Sequence, residues 1–167
     1  IGARKAELMS QNNRRVGREY ALKVLFAAKL VEGCDASRLL NEFWNGFRFS
    51  DDVLGEPLDE TTTPLPEAAR IFTEMLVAGV VEFRPVLDRK IAEVATNWSL
   101  ERMAPVDLSI LRIGTYELLY RPDIPGRVTI NEAIEIAKRY GTKESPSFVN
   151  GLLDKIARNC DKSDADS

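Results

Sequence analysis

A chain of 167 residues with 44% hydrophobic and 29% charged side chains has the composition of one globular domain with a sizeable core. It has no histidine, which excludes Cys/His zinc sites and histidine-based catalytic dyads, and its two cysteines form no Cys-x-x-Cys motif. No apolar run reaches the roughly 18 residues of a membrane span and no secretory signal is visible. We therefore expect a cytoplasmic protein with reduced thiols, no membrane association, no metal and no cofactor.

The net charge of −3 hides a segregation of charge along the chain. Residues 1–19 carry five basic and two acidic side chains, whereas residues 51–60 carry five acidic side chains and no basic one. The end of the chain, residues 161–167, adds three acidic residues and one lysine. A basic N-terminal end is where a polyanion such as a nucleic acid is expected to bind.

The first half of the chain is predicted to contain three helices and a long loop. Residues 1–12 lack a helical period and are predicted to be a flexible basic segment. Apolar residues at helical spacing then predict helices over 13–30 and 35–47. Residues 49–65 combine acidic residues with Pro, Gly and Thr, which predicts an exposed acidic loop before a third helix that begins at Pro66.

Two further helices are predicted around the middle of the chain. Pro85 is expected to end the third helix, because proline lacks the backbone donor and clashes with the preceding turn, so a fourth helix is predicted over 85–95. The fifth, over 105–120, has apolar residues around most of its circumference, which indicates neighbours on several sides. Gly114 within it predicts a close approach by another helix.

The last third predicts two short helices joined by turns. Thr129-x-x-Glu132 has the pattern of a capping box, so the sixth helix is predicted to begin at Thr129 and to end at Gly141. Ser145 is predicted to cap the seventh, and residues 161–167 to be a disordered acidic tail. No segment shows the strand period of two. The predicted fold is all-α, with about seven helices in a single domain over 13–160.

Three stretches of the chain closely resemble the NusB family of bacterial transcription antitermination factors. They read RRVGREYALKVLF (14–26), VDLSILRIGTYELLY (106–120) and VTINEAIEIAKRYGTKESPSFVNGLLDKI (128–156). The resemblance covers roughly residues 13–157, and the third stretch is the most specific. It implies an all-helical fold of two packed three-helix sub-bundles.

The resemblance also implies a non-enzymatic function. Members of the family bind the boxA element of single-stranded RNA together with a small ribosomal-subunit protein, NusE. They join an antitermination complex on RNA polymerase, notably on ribosomal RNA operons. A related family of ribosomal RNA methyltransferases carries the fold as an N-terminal domain, but this chain has no Gly-rich loop after a strand to hold a methyl donor. Because some members dimerise through their RNA face, a helical scaffold or homodimer without an RNA role is the alternative.

The RNA-binding residues that the resemblance implies lie on the first helix, before the fifth helix and around the start of the last one. Arginines neutralise phosphates and stack on bases, and arginines in the first turns oppose the helix dipole, so local stability does not account for them. An aromatic side chain at the start of the last helix either stacks on a base or packs in the core. The candidates are Arg14, Arg15, Arg18, Glu101, Arg102, Lys143, Glu144, Ser147 and Phe148.

A second set of candidates is implied for the NusE surface. These residues are Phe26, Leu30, Asp107 and Glu117. Phe26 equally fits a core position, and Glu117 equally fits an internal salt bridge. An enzymatic interpretation would pair Glu132 with Asp154 as acid and base, but no nucleophile, metal set or histidine accompanies them.

Overall fold

A computed structural model describes residues 2–28, 33–46 and 65–162 of the chain. These residues form six α helices and one 3-10 helix, without any strand, which confirms the all-α class. The α helices are α1 (Gly2–Ala28), α2 (Ala36–Gly46), α3 (Glu67–Val94), α4 (Pro105–Tyr120), α5 (Gly126–Tyr140) and α6 (Ser145–Asn159), and the 3-10 helix is Leu100–Arg102. The predicted acidic loop 49–65 lies outside the described residues except for its last position.

The helix α3 runs through Pro85 without a break. The prediction of two helices over 66–95 is therefore wrong, and the described chain has six α helices rather than seven. Proline deprives the Val81 carbonyl of its partner and costs about 3 kcal/mol in a helix interior. The helix persists because it is buried on both sides of the proline, at Val80 and Leu87, and tertiary packing supplies most helical stability.

The chain divides into two compact units, unit 1 (Ile1–Val81) and unit 2 (Glu82–Ser167). In unit 1, α1 begins at Gly2, well before the predicted start at residue 13. Residues 3–9 (ARKAELM) are all strong helix formers, so helix propensity accounts for the extension of α1 over a segment in which no helical period was recognised. At Gly17 the helices α1 and α3 approach closely, because a Cβ atom there would lie 2.8 Å from the Phe72 ring.

Unit 2 is organised around α4, which contacts both α5 and α6. Ten of its 16 residues are buried, which confirms the prediction of a helix with neighbours on several sides. The predicted close approach at Gly114 is also confirmed. A Cβ atom at this position would lie 2.9 Å from both terminal carbons of Leu153 in α6.

The predicted capping box at the start of α5 is wrong. The helix begins at Gly126, so Thr129 lies inside it, and the Thr129 hydroxyl donates a 3.0 Å hydrogen bond to Oε1 of Glu117 on α4. Both side chains are 1% exposed. A buried hydrogen bond to a carboxylate stabilises the fold more than a helix cap at the surface, because water can replace the cap.

The end of the described chain is anchored to the turn between α4 and α5. The Lys162 ammonium donates to the backbone carbonyls of Glu117 (3.2 Å), Arg121 (2.6 Å) and Ile124 (2.9 Å). Burial lowers the pKa of Lys162 from its ordinary value. The rest of the predicted acidic tail, residues 163–167, lies outside the described residues.

Candidate nucleic-acid interface

The three candidate arginines of α1 differ in exposure. Arg15 is exposed, Arg14 is half-buried and Arg18 is only 3% exposed. The guanidinium carbons of Arg14 and Arg18 lie 5.6 Å and 5.3 Å from the centre of the Phe72 ring, within the range of cation–π contacts. The spacing of four residues places these two arginines on one face of α1, as predicted.

Phe72 contacts both of these arginines. Its ring occupies the space that Gly17 leaves between α1 and α3, and Thr73 beside it lies within hydrogen-bonding distance (3.2 Å) of the Gly17 carbonyl. The ring therefore holds two guanidinium groups against α3, while Arg15 reaches into solvent. Sequence reasoning missed Phe72, because an aromatic at helical spacing on α3 is indistinguishable from an ordinary core residue.

A second group of candidates comes together in unit 2 through an aromatic pair. The rings of Trp98 and Phe148 lie edge to face, with centroids 6.2 Å apart and planes at 72°. This contact joins the connector between α3 and α4 to the start of α6. Glu101 and Arg102 on the connector are exposed, and Phe148 is half-buried.

The connector is shaped by short backbone hydrogen bonds. The N–H of Trp98 donates to the Ala95 carbonyl (3.2 Å), and the N–H of Arg102 donates to the Ser99 carbonyl (3.0 Å). Ala95 and Met103 are buried at either end of the connector, whereas Trp98 is 56% exposed. Sequence reasoning also missed Trp98. The one indication was that a tryptophan occurs in a polar segment that has no helical period.

The loop before α6 holds the remaining candidates on the surface. Ser145 is the first residue of α6 rather than its N-cap, and its hydroxyl accepts from the N–H of Thr142 at 2.9 Å. Gly141 ends α5 as predicted, with a negative φ of −93°, and a Cβ atom there would lie 2.5 Å from Oγ of Ser145. This compact turn leaves three candidates exposed, namely Lys143, Glu144 and Ser147.

The partner candidates fall in different environments. Asp107 lies in the first turn of α4 and is 8% exposed, and its Oδ1 atom has no hydrogen-bond partner among the described residues. Phe26 is half-buried, and Leu30 lies outside the described residues. Glu117 is an interior residue bonded to Thr129, so the structure does not place it on a surface. Its burial favours the internal role that the sequence also allowed, and its contact with a partner stays a prediction.

Other polar residues near α4 and α6 form ordinary ion pairs. Arg112 of α4 donates two hydrogen bonds to Asp88 of α3, at 2.8 Å and 3.1 Å, and Asp154 pairs with Arg158 along α6 at 2.9 Å. In the ranges that the structure describes, no three His, Cys, Asp or Glu side chains are grouped to hold a metal ion. None of the helices in those ranges combines the length and apolar character needed to cross a membrane.

The sequence of the chain matches one family over most of its length. The profile of the NusB family matches residues 15–158. The transcription antitermination protein NusB of Syntrophotalea carbinolica is 55% identical over 152 residues, which cover 91% of this chain and 96% of the relative. The NusB protein of Geobacter sulfurreducens is 48% identical over 144 residues, covering 86% and 93%.

Solved structures of NusB proteins are also similar to this chain. T. maritima NusB is 40% identical and superposes with a TM-score of 0.60, covering 87% of this chain and 90% of its own. A crystal structure of antitermination factors NusB and NusE in complex with dsRNA contains a chain that is 25% identical, with a TM-score of 0.65 and coverages of 89% and 98%. The protein therefore belongs to the NusB family, in which both of these bacterial relatives are transcription antitermination proteins.

Proposed function

We propose that this protein is a non-enzymatic, cytoplasmic RNA-binding factor in transcription antitermination. It binds boxA-type RNA together with NusE and joins the antitermination complex on RNA polymerase, notably on ribosomal RNA operons. The observation that carries this proposal is the 55% identity to a NusB transcription antitermination protein over 91% of the chain. The similar fold of NusB in a complex with NusE and dsRNA supports RNA and NusE as the binding partners.

In this proposal the arginines of α1 bind the RNA backbone. Arg15 reaches into solvent and Arg14 is half-buried, so both retain surface for a phosphate. Arg18, at 3% exposure, acts mainly through the Phe72 ring that it shares with Arg14. A guanidinium group lying on an aromatic ring has lost part of its rotational freedom before binding, which lowers the entropic cost of a phosphate contact.

Exposed residues of unit 2 are the other proposed RNA contacts. Lys143 and Arg102 supply positive charge for phosphates, and Glu101 and Glu144 supply carboxylates that accept from base amino groups. Ser147 lies at the start of α6, beside Phe148, and presents a hydroxyl to solvent. Phe148 is half-buried and already contacts Trp98, so the structure supports both a packing role and a stacking role for it.

The proposed NusE contacts are Asp107, at the start of α4 in unit 2, and Phe26, near the end of α1 in unit 1. The Oδ1 atom of Asp107 has no described hydrogen-bond partner, which suits a basic or N–H donor from another protein. Phe26 is half-buried on α1 and offers part of an apolar ring to the same partner. Leu30 follows it in sequence, outside the described residues.

The test is a binding measurement with labelled RNA, with and without purified NusE. We expect the protein to bind single-stranded boxA RNA more tightly than a scrambled oligonucleotide, and NusE to increase that difference. The same sequences in duplex form establish which form of RNA is preferred. Equal binding of boxA and scrambled RNA, both with and without NusE, would overturn the proposal.

Sizing chromatography tests the alternative of a helical scaffold or homodimer without an RNA role. We expect any dimer formed in the absence of RNA to dissociate when boxA RNA is added, because the two compete for one face. A stable dimer that persists at saturating RNA and NusE would favour the scaffold alternative over antitermination.

A further inference from the structure

Trp98 is a large apolar side chain that the described fold does not bury. It is 56% exposed, and its neighbours along the connector, Asn97 and Ser99, are polar and exposed. More than half of this side chain stays in water, so burial on folding uses less than half of its area. Fold stability therefore does not account for the exposed part of the indole.

The geometry of the aromatic pair leaves stacking surface available. In an edge-to-face pair such as Trp98 and Phe148, the edge of one ring meets one face of the other, so the pair itself occupies a single ring face. The exposed fraction of Trp98 shows that much of the indole remains open to solvent. The contact with Phe148 fixes the position of the indole without covering it.

We propose that Trp98 is an RNA-contacting residue on which an unpaired nucleobase of the bound RNA stacks. This inference rests on the proposed RNA-binding function and adds a residue to it. Trp98 and Phe148 then form one platform that spans the connector and the start of α6, with the indole as its exposed part. Stacking on a preset aromatic ring requires no rearrangement of the protein.

The surroundings of Trp98 favour a nucleobase over an apolar protein surface. The core of a protein–protein interface is depleted of charged residues and is usually built from several adjoining apolar side chains. Here a single exposed indole lies in a connector with charged and polar neighbours, Glu101 and Arg102 among them. An aromatic ring combined with cations that bind the phosphates is the usual arrangement of a single-stranded RNA site.

The first test uses the indole itself as the reporter. The chain has two tryptophans, so Trp44→Phe leaves Trp98 as the only one. Trp44 is half-buried with Arg70 over its ring, and phenylalanine keeps an aromatic side chain there. We expect boxA RNA to quench the Trp98 emission with the same midpoint as binding measured on labelled RNA. Binding without any change in emission would overturn the inference, since a merely structural Trp98 would not report on the base.

The second test measures affinity for single-stranded boxA RNA. Loss of one stacked base corresponds to about a 5- to 150-fold weaker affinity, so we expect Trp98→Ala to fall in this range and Trp98→Phe to restore most of the affinity. Ile71→Ala is the matched control, because Ile71 is 60% exposed but lies on α3 in unit 1. Thermal unfolding followed by circular dichroism verifies that Trp98→Ala remains folded.

Abasic oligonucleotides identify the stacked base. If a base stacks on Trp98, removing that base weakens binding to the wild type but has little further effect on Trp98→Ala, whereas other abasic positions act additively with the substitution. Additive effects at every position, or a loss of NusE binding with unchanged RNA binding, would overturn the inference in favour of a structural or protein contact. Absence of boxA binding by the wild type would overturn the proposed function and this inference together.

Discussion

In unit 1 the aromatic ring is buried and two arginines lie on it, whereas in unit 2 the aromatic ring is exposed and charged residues follow it along the connector. Phe72 is 8% exposed beneath Arg14 and Arg18, while Trp98 is 56% exposed beside Phe148. In our proposal, the first arrangement orders cations for phosphates, and the second presents a ring to a base. The two surfaces are therefore expected to respond differently to salt, because only phosphate contacts release counterions.

The largest effect is expected from replacing Arg14, Arg15 and Arg18 with alanine. Loss of the phosphate contacts of Arg14 and Arg15 should reduce the slope of log affinity against log salt by about 1.4 for single-stranded RNA, and weaken binding about 100-fold at low salt. Fluorescence anisotropy over a range of salt concentrations measures both quantities. Arg38→Ala is the control, since Arg38 is an exposed arginine of unit 1 paired with Glu42. A triple variant with the wild-type slope would contradict the assignment of this surface.

The RNA affinity of Trp98→Ala, measured over the same salt concentrations, tests the proposed difference between the arginines of unit 1 and Trp98 of unit 2. Its affinity should fall while its slope stays at the wild-type value, because stacking involves no counterion release. Parallel slopes for Trp98→Ala and the wild type, with a reduced slope for the arginine variant, would separate the two mechanisms. A reduced slope for Trp98→Ala would mean that this substitution also removes phosphate contacts, which contradicts the proposed stacking role of Trp98.

Thr129→Val tests the interior that supports unit 2. The substitution removes the buried hydrogen bond to Glu117 and leaves a carboxylate without that donor, which should lower the free energy of unfolding by about 1.5–3 kcal/mol. Urea denaturation measures the change. We expect RNA and NusE affinities of the folded variant to stay within about twofold, a margin below 0.5 kcal/mol. A specific loss of NusE binding would identify Glu117 as a partner residue.

Asp107→Asn separates the NusE surface from both RNA surfaces. A hydrogen bond to a charged group contributes about 1.5–3 kcal/mol, so we expect NusE affinity to fall at least about 10-fold while RNA binding by the isolated protein is unchanged. Titration calorimetry with NusE measures this loss. Wild-type NusE affinity in a folded Asp107→Asn protein would remove Asp107 from the proposed interface.

Phe72→Leu is expected to have a small effect on RNA binding, and it tests whether the Phe72 ring orders the arginines of unit 1. Leucine remains apolar but cannot form the cation–π contacts with Arg14 and Arg18, each of which contributes about 0.5–1 kcal/mol at exposed sites. We expect RNA binding to weaken about 3-fold with the salt slope unchanged, since no cation is lost. An affinity equal to that of the wild type would show that the ring packs the helices without ordering the arginines.

The sequence predicted best those elements whose signals are local. The bounds of α4 were predicted correctly because Pro105 begins the helix and Arg121–Pro122 ends it. Periodicity likewise marked the apolar faces of α2 and α6. The resemblance to the family identified the basic face of α1, although it could not distinguish exposed Arg15 from buried Arg18.

The errors arose where contacts distant in sequence outweigh local preferences. Pro85 lies within a helix because packing on both sides compensates for the lost hydrogen bond. Thr129 bonds to Glu117 on another helix instead of capping its own. Phe72 contacts Arg14 and Arg18, and Trp98 contacts Phe148, and no local sequence pattern predicts the proximity of these residues.

The unbroken α3 also affects whether the two units can be separated or exchanged between relatives. The boundary between the two units, at Val81 and Glu82, falls inside this helix and not in a linker. Any cut that separates the units would leave each with a helix end that normally continues as helix. Recombination that exchanges one half between relatives must therefore preserve the helical register through Pro85, so the two halves are expected to evolve as one piece.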